Sequence, residues 1–583
     1  MKKLVINLLL AFFLVLSISC KKVLEDHPLN VTKESDIWDQ NDATGTNAQA
    51  WVIKIYSQLP NGFIRLNGME LDCAAGDGVP SNRGNAVWNV INGGYNSVNT
   101  FDDNWTNSYS IIRRANIFLN NYKRVPWSDP TLPKWLAAEV RTLRAYSYYE
   151  MIRRYGGVPL LGEKVYTPDD PALLQLKRSS FADCVDYIVS ELDAVKDQLR
   201  PDASLASRGN GNGVAEGTDN DAGRMRPTIA MAIKAKVLLL AASPLFNPSV
   251  TPSLDFTGYP SFDANRWKAA ADAMKAIMNL NMFALEPNRY ILNTTHVNKE
   301  FVFMRYAASY QTAWGNQVSP VGYTVGNVAS GGIVSPTQEL VDAFPMANGK
   351  AISDPSSGYN AANPYANRDP RLSQTVFYNG ATWLRRSVQT YEGGLDKPNN
   401  SNIAGGVQTQ TGYYQKKFLA QDDNNTAFTP TMYHPSGLST FCLIRYADIL
   451  LNYAEAQNEF AGPDASVYAA VNAIRQRAGL NPFAAPAGLS KEQMRDLIRN
   501  ECRLEFAFEE RRFYDIRRWK IAKEVYGTGS LHGVNIVRNA DGSLTYTPIT
   551  VATPFFNANN MYLLPIANTE ILANPNIVQN PNY

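Results

Sequence analysis

Apolar residues recur at three- and four-residue intervals along much of this chain, the spacing of amphipathic helices. Residues 42–56 follow it, as do 102–122, where Trp105, Tyr109, Ile112, Asn116 and Leu119 track one face. The clearest single helix is predicted over 133–155. Leu136, Val140 and Leu143 form its stripe, Arg153 and Arg154 offset the negative end of its dipole, and Gly156, Gly157 and Pro159 end it. A further helix is predicted over 180–199, with Val185, Ile188, Val189 and Leu192 on its apolar side. Residues 228–242 and 265–279 form a helix pair, the second carrying Trp267, Ala271, Met274 and Met278.

The densest helical signal runs from Leu443 to Trp519. A first segment places Leu443, Ala447, Leu450 and Ala454 on one face and breaks at Gly462-Pro463. A second carries Val467, Val471, Ile474 and Ala478 and stops at Gly479. So short a loop predicts an antiparallel pair, and its span of about 36 residues is close to the ~34 of a tetratricopeptide unit. A third segment opens on Ser490 and Gln493 at capping-box spacing, then sets Met494, Leu497, Ile498 and Cys502 on one side.

Elsewhere the helical period lapses. Residues 61–100 are rich in Gly, Asn and single aromatics, and a loop of that length is uncommon unless it serves a function. Residues 201–223 form a second Gly- and Asn-rich loop. From 280 to about 441, short β-like runs such as Phe301-Val302-Phe303-Met304 lie among Gly-Asn turns. The expected organisation is one domain over 32–583, with a helical scaffold over about 36–280 and 441–525. A loop-rich lobe is inserted at about 281–440, and the tail carries a short strand at 562–564.

Composition narrows the function. An apolar content of 45% with 11% aromatic residues over 583 positions describes a folded globular protein. Removing Lys2 and Lys3 of the leader from the 55 basic residues leaves 53, against 53 acidic ones. A neutral chain carries no basic footprint for nucleic acid. Its many Tyr, Trp, Asn and Gly residues suit neutral, hydroxylated ligands.

The first residues read as an export signal over 1–19: Lys2 and Lys3, an apolar run from Leu4 to Leu16, then Ser17 and Ser19 before Cys20. A cysteine at the cleavage point resembles a bacterial lipobox, although Ser17 stands where an aliphatic residue is usual. Diacylation of Cys20 would supply the two chains that stable anchoring requires, with 20–31 as a polar tether. Of the other cysteines, Cys442 and Cys502 fall in helical patterns as buried small apolar residues, and no essential disulfide is expected.

Motifs for catalysis are missing. The four histidines do not pair at metal-ligand spacing, and no H-E-x-x-H, C-x-x-C, G-x-S-x-G or phosphate-loop pattern occurs. Asp219, Asn220 and Asp221 offer oxygen ligands but lack the spacing and terminal Glu of a calcium loop, so no cofactor is expected. The informative residues are aromatics in polar loops. Trp88 sits among Arg83, Asn85 and Asn89. Tyr310 and Trp314 sit among Gln311, Asn316 and Gln317. Flat rings pack on sugar faces while amides and guanidinium groups bond hydroxyls, each contact being worth on the order of a kcal/mol. Replacing Trp88 and Trp314 together by alanine is expected to abolish polysaccharide retention and leave thermal stability nearly unchanged.

Five ordered stretches resemble the SusD/RagB family of outer-membrane nutrient-binding lipoproteins. They are AEVRTLRAYSYYEMIRRYGGVPL at 138–160, IRYADILLNYAEAQNE at 444–459, VNAIRQRAGL at 471–480, ECRLEFAFEERRFYDIRRW at 501–519 and LLPIANTEILANPNIVQNPNY at 563–583. The tail departs at Ala567 and Asn582, where Pro and Gly are commoner in the family. The resemblance implies a mostly α fold: about four tetratricopeptide-like helix pairs and a loop-rich lobe with a few short strands. It further implies a non-enzymatic surface lipoprotein, lipidated at Cys20, that passes glycan to a SusC-like TonB-dependent transporter. The implied ligand residues are Arg83, Asn85, Trp88, Asn89, Tyr310, Trp314 and Asn316. A peptide-uptake member of the family and a surface glycoside hydrolase are the alternatives. Arg511, Arg512, Arg517 and Arg518 are expected to pair with Glu501, Glu505 and Asp515, or with the transporter.

Overall fold

The structure is a computed structural model. It describes residues 34–583 apart from 203–222, 293–297, 308–314, 325–330, 400–406, 420–438 and a few single or paired positions, Asn316 among them. The leader and tether, Cys20 included, and Asp219, Asn220 and Asp221 lie outside the described residues.

The helices form where the apolar period places them. They are α1 (Thr46–Tyr56), α2 (Trp105–Asn121), α3 (Leu132–Tyr155), α4 (Phe181–Val195), α5 (Pro227–Ala242), α6 (Asn265–Asn279), α7 (Tyr446–Ala461), α8 (Ala465–Ala478) and α9 (Lys491–Glu505). Each packs on the next in chain order, and α6 meets α7 across the whole inserted lobe. The result is a mostly helical, tetratricopeptide-like stack.

Local chemistry sets the helix ends. Ser490 and Gln493 close the expected capping box on α9. Asp464 accepts the Ser466 and Val467 N–H groups at the start of α8, and Gly479 ends it in the left-handed region. Gly156 ends α3 at φ +79°, and a Cβ there would lie 2.2 Å from the Phe256 carbonyl oxygen. Gly156→Ala is therefore expected to destabilise the protein by about 1–3 kcal/mol, read from its urea midpoint.

Two elements differ from the sequence reading. Cys442 and Leu443 belong to a strand, not a helix: β4 (Ser439–Arg445) pairs antiparallel with β2 (Phe301–Ala307), and α7 begins only at Tyr446. Short apolar runs fit either period, and here a partner strand decides. Residues 562–564 form no strand. Leu564 instead donates its N–H to the Arg154 carbonyl at 2.7 Å, docking the tail on the end of α3. A long hairpin that helical spacing does not predict also forms, β5 (Leu531–Arg538) with β6 (Leu544–Ala552). Its turn carries Asp541-Gly542, with Gly542 at φ +86°.

Beneath the lobe lies a continuous buried ion-pair network. Arg445 reaches Glu300, Glu505 and Glu509 at 2.6–2.9 Å. Arg477 joins Glu300 to Glu505, while Arg371 and Arg475 share Glu501. Lys417 closes on Glu509. The expected partners of the later arginines change accordingly, because Glu501 and Glu505 are already occupied. Arg511 pairs with Asp448, Arg518 takes Glu455 as well as the expected Asp515, and Arg517 lies over the Phe513 ring.

Burial opposes ionisation of Glu505 and Glu509, but the surrounding cations outweigh it. Glu505 is held well below the usual carboxylate range by Arg289, Arg477 and Arg445, and Glu509 falls to about 2 beside Arg445 and Lys417. Both carboxyls are thus more acidic folded than unfolded, so their stabilisation is complete above the unfolded value of 4.5 and is lost as pH falls through the folded values. From Glu505 and Glu509 the melting temperature is expected to gain no pH dependence above about pH 5 and to drop steeply toward pH 2.

Candidate functional site

The long loop after α1 is tied to the lobe by backbone pairing. Within it, β1 (Gly78–Pro80) runs antiparallel to β3 (Val334–Pro336), and Ser81 extends the contact by donating its N–H to the Ile333 carbonyl at 2.8 Å. Gln317, three residues beyond Trp314, accepts the Ile333 N–H. The two sequence-predicted loops therefore share one base.

A third segment joins them. The Ser81 and Ser335 hydroxyls lie 2.7 Å apart, and Ser335 accepts the Gln410 N–H. The Gln410 amide donates to the Ser81 carbonyl at 2.9 Å and accepts from Arg83 Nε at 3.3 Å. Gln410 carried no sequence signal, since only long-range pairing brings it here.

On this base Arg83 and Asn89 are exposed and Asn85 is half-buried. Trp88, on a one-turn helix over Val87–Ile91, behaves differently. Only 8% of it is exposed, its Nε1 donates to the Asn82 carbonyl, and the Arg83 guanidinium lies over its ring at 4.3 Å. Trp88 is the support for Arg83 and not an open platform. The expectation that its removal spares thermal stability is corrected: truncation leaves a cavity. Tyr310, Trp314 and Asn316 lie outside the described residues.

Asn89 also borders a polar cleft of about 320 Å³ lined by Arg65, Tyr95, Asn99, Thr100 and Asp103. Its floor is fixed by charge. Arg65 bridges Asp102 and Glu510, and Arg154 holds Asp102 from below. Burial alone would raise the Asp102 carboxyl, but Arg154 and Arg65 hold it well below the usual range. Asp72 accepts the Phe508 and Glu510 N–H groups, pinning a turn in which both residues take positive φ. Burial, with Glu510 and Asp77 nearby, pushes Asp72 up to about 8. Its buried position and backbone partners make it a brace for the floor.

The surface can thus present guanidinium and amide groups to hydroxyls beside a polar cleft. Among the described residues no group of three or more His, Cys, Asp or Glu side chains could hold a metal ion. Nor is any described helix long and apolar enough to cross a membrane.

Comparison with known proteins places this architecture. A model of the SusD family matches residues 299–583, and one described as starch-binding, associating with the outer membrane, matches residues 33–208. The chain belongs to the SusD family. SusD-like protein P2 of Formosa agariphila is 26% identical over 510 residues, 83% of each chain. A SusD-like protein of Bacteroides fragilis superposes with a TM-score of 0.74 at 26% identity, covering 95% of this chain and 99% of that one. A SusD-like carbohydrate-binding protein from the same species gives 0.70 at 22% identity, over 93% and 99%. SusD membership accounts for the helical stack and its inserted lobe, and it places the chain in a carbohydrate-binding family associated with the outer membrane.

Proposed function

We propose that this SusD-family protein is a lipid-anchored, non-catalytic glycan receptor of the outer membrane that passes oligo- or polysaccharide to a SusC-like TonB-dependent transporter. The observation that carries the reading is the shared base of β1, β3 and Gln410, which sets Arg83, Asn85 and Asn89 together on one polar surface. Such a surface binds by hydrogen bonds to hydroxyls. It needs no cofactor, and the neutral chain makes capture of neutral glycan insensitive to salt. Tyr310, Trp314 and Asn316 belong to the same proposed site from the second loop. Cys20 carries the lipid in this reading and keeps the site at the cell surface.

Native gels cast with a panel of polysaccharides test capture. The protein should be retarded by at least one neutral glycan and release no reducing ends from it. Retardation by none, with peptides co-purifying instead, would turn the reading toward peptide uptake. Cys20→Ala should move the protein out of the membrane fraction, and loss of a co-purifying TonB-dependent transporter would report the partnership.

A further inference from the structure

A second cavity, of about 410 Å³, lies in the helical scaffold between the segment before α6 and helices α7 and α9. It shares no lining residue with the loop surface. Its acids are already engaged. Glu455 accepts both Nη1 and Nη2 of Arg518 and the Trp519 indole N–H, and Glu459 accepts Nε and Nη2 of Arg495. Arg499 is left over. Among the described residues it makes no ion pair or hydrogen bond, and its guanidinium rests near the Trp519 ring at 5.1 Å. Burial lowers its pKa, and the nearby Glu455 and Glu459 carboxylates, already engaged by Arg518 and Arg495, do not make up for the lost hydration.

The rest of the lining fits a sugar. Phe262, which lines the cavity, is 50% exposed and supplies an aromatic ring. Asn458, wholly buried in the wall, has an Oδ1 that meets no donor among the described residues. From this arrangement we propose that the pocket binds a carboxylated saccharide residue, its carboxylate on Arg499 and its ring against Phe262. The choice of saccharide over acidic peptide rests on the glycan reading above, whereas the anion preference rests on Arg499 alone.

Calorimetric titration with trisaccharides of galacturonate and of glucuronate, their methyl esters and triglutamate tests this on the full protein. At least one free-acid trisaccharide should bind about tenfold or more tighter than its ester, and this preference should weaken as salt is raised. Arg499→Gln should remove the preference at an unchanged melting temperature, and Arg499→Lys should keep part of it. No preference for the acid, equal binding of triglutamate, or an unchanged preference in Arg499→Gln would overturn the proposal. Retention on neutral polysaccharide, measured in parallel, should be the same in Arg499→Gln as in the parent. Its absence in both would count against the loop surface and not against this pocket.

Discussion

Arg445→Ala is expected to lower the free energy of unfolding by about 3–5 kcal/mol, measured by urea titration at pH 7. The residue is 1% exposed and is the common partner of Glu300, Glu505 and Glu509, which are themselves buried. Removing it leaves carboxylates in a medium that solvates them poorly, and that penalty, more than the lost attraction, sets the size of the effect. Lys268→Ala supplies the contrast. Its pair with Asp272 spans one helical turn with both side chains mostly in water, so a change within about 0.5 kcal/mol is expected. Equal losses in the two variants would mean that the network does not behave as a buried one.

Arg83→Ala combined with Asn89→Ala should weaken retention on the bound polysaccharide by tenfold or more, since hydrogen bonds involving a charged group are worth about 1.5–3 kcal/mol. Both side chains are exposed, so the melting temperature should hardly move. Trp88→Ala should behave otherwise. It removes the ring under Arg83 and empties a packed site, and deletions of that kind cost about 3–5 kcal/mol. Trp88→Phe keeps an apolar ring there and should preserve both stability and retention better than alanine does. Undiminished retention in the Arg83 and Asn89 double variant would place the ligand elsewhere.

The sequence revealed the scaffold better than the site, for physical reasons. Helices announce themselves through contacts three and four residues apart, so α2 to α9 could be located from spacing, and the capping box at Ser490 and Gln493 marked its helix start. Strand β4 could not be distinguished from the helix that follows it, because its apolar run is short and its partner β2 lies more than a hundred residues away. The hairpin of β5 and β6 did carry a local signal, Asp541-Gly542 between alternating residues. The loop surface depends wholly on long-range pairing: nothing near Gln410 in the sequence points to Ser81 or Arg83. Burial of Trp88 was equally hidden. A tryptophan in a polar loop has the same sequence context whether its ring faces solvent or a guanidinium.

Hydrogen exchange of the full protein with and without an oligosaccharide from the retarding polysaccharide locates the bound ligand on the molecule. Exchange should slow at residues 81–94 and 407–412, with helices α7 to α9 unchanged by a neutral ligand. Protection confined to the helical stack, with residues 81–94 unaffected, would contradict a ligand site on the loop surface.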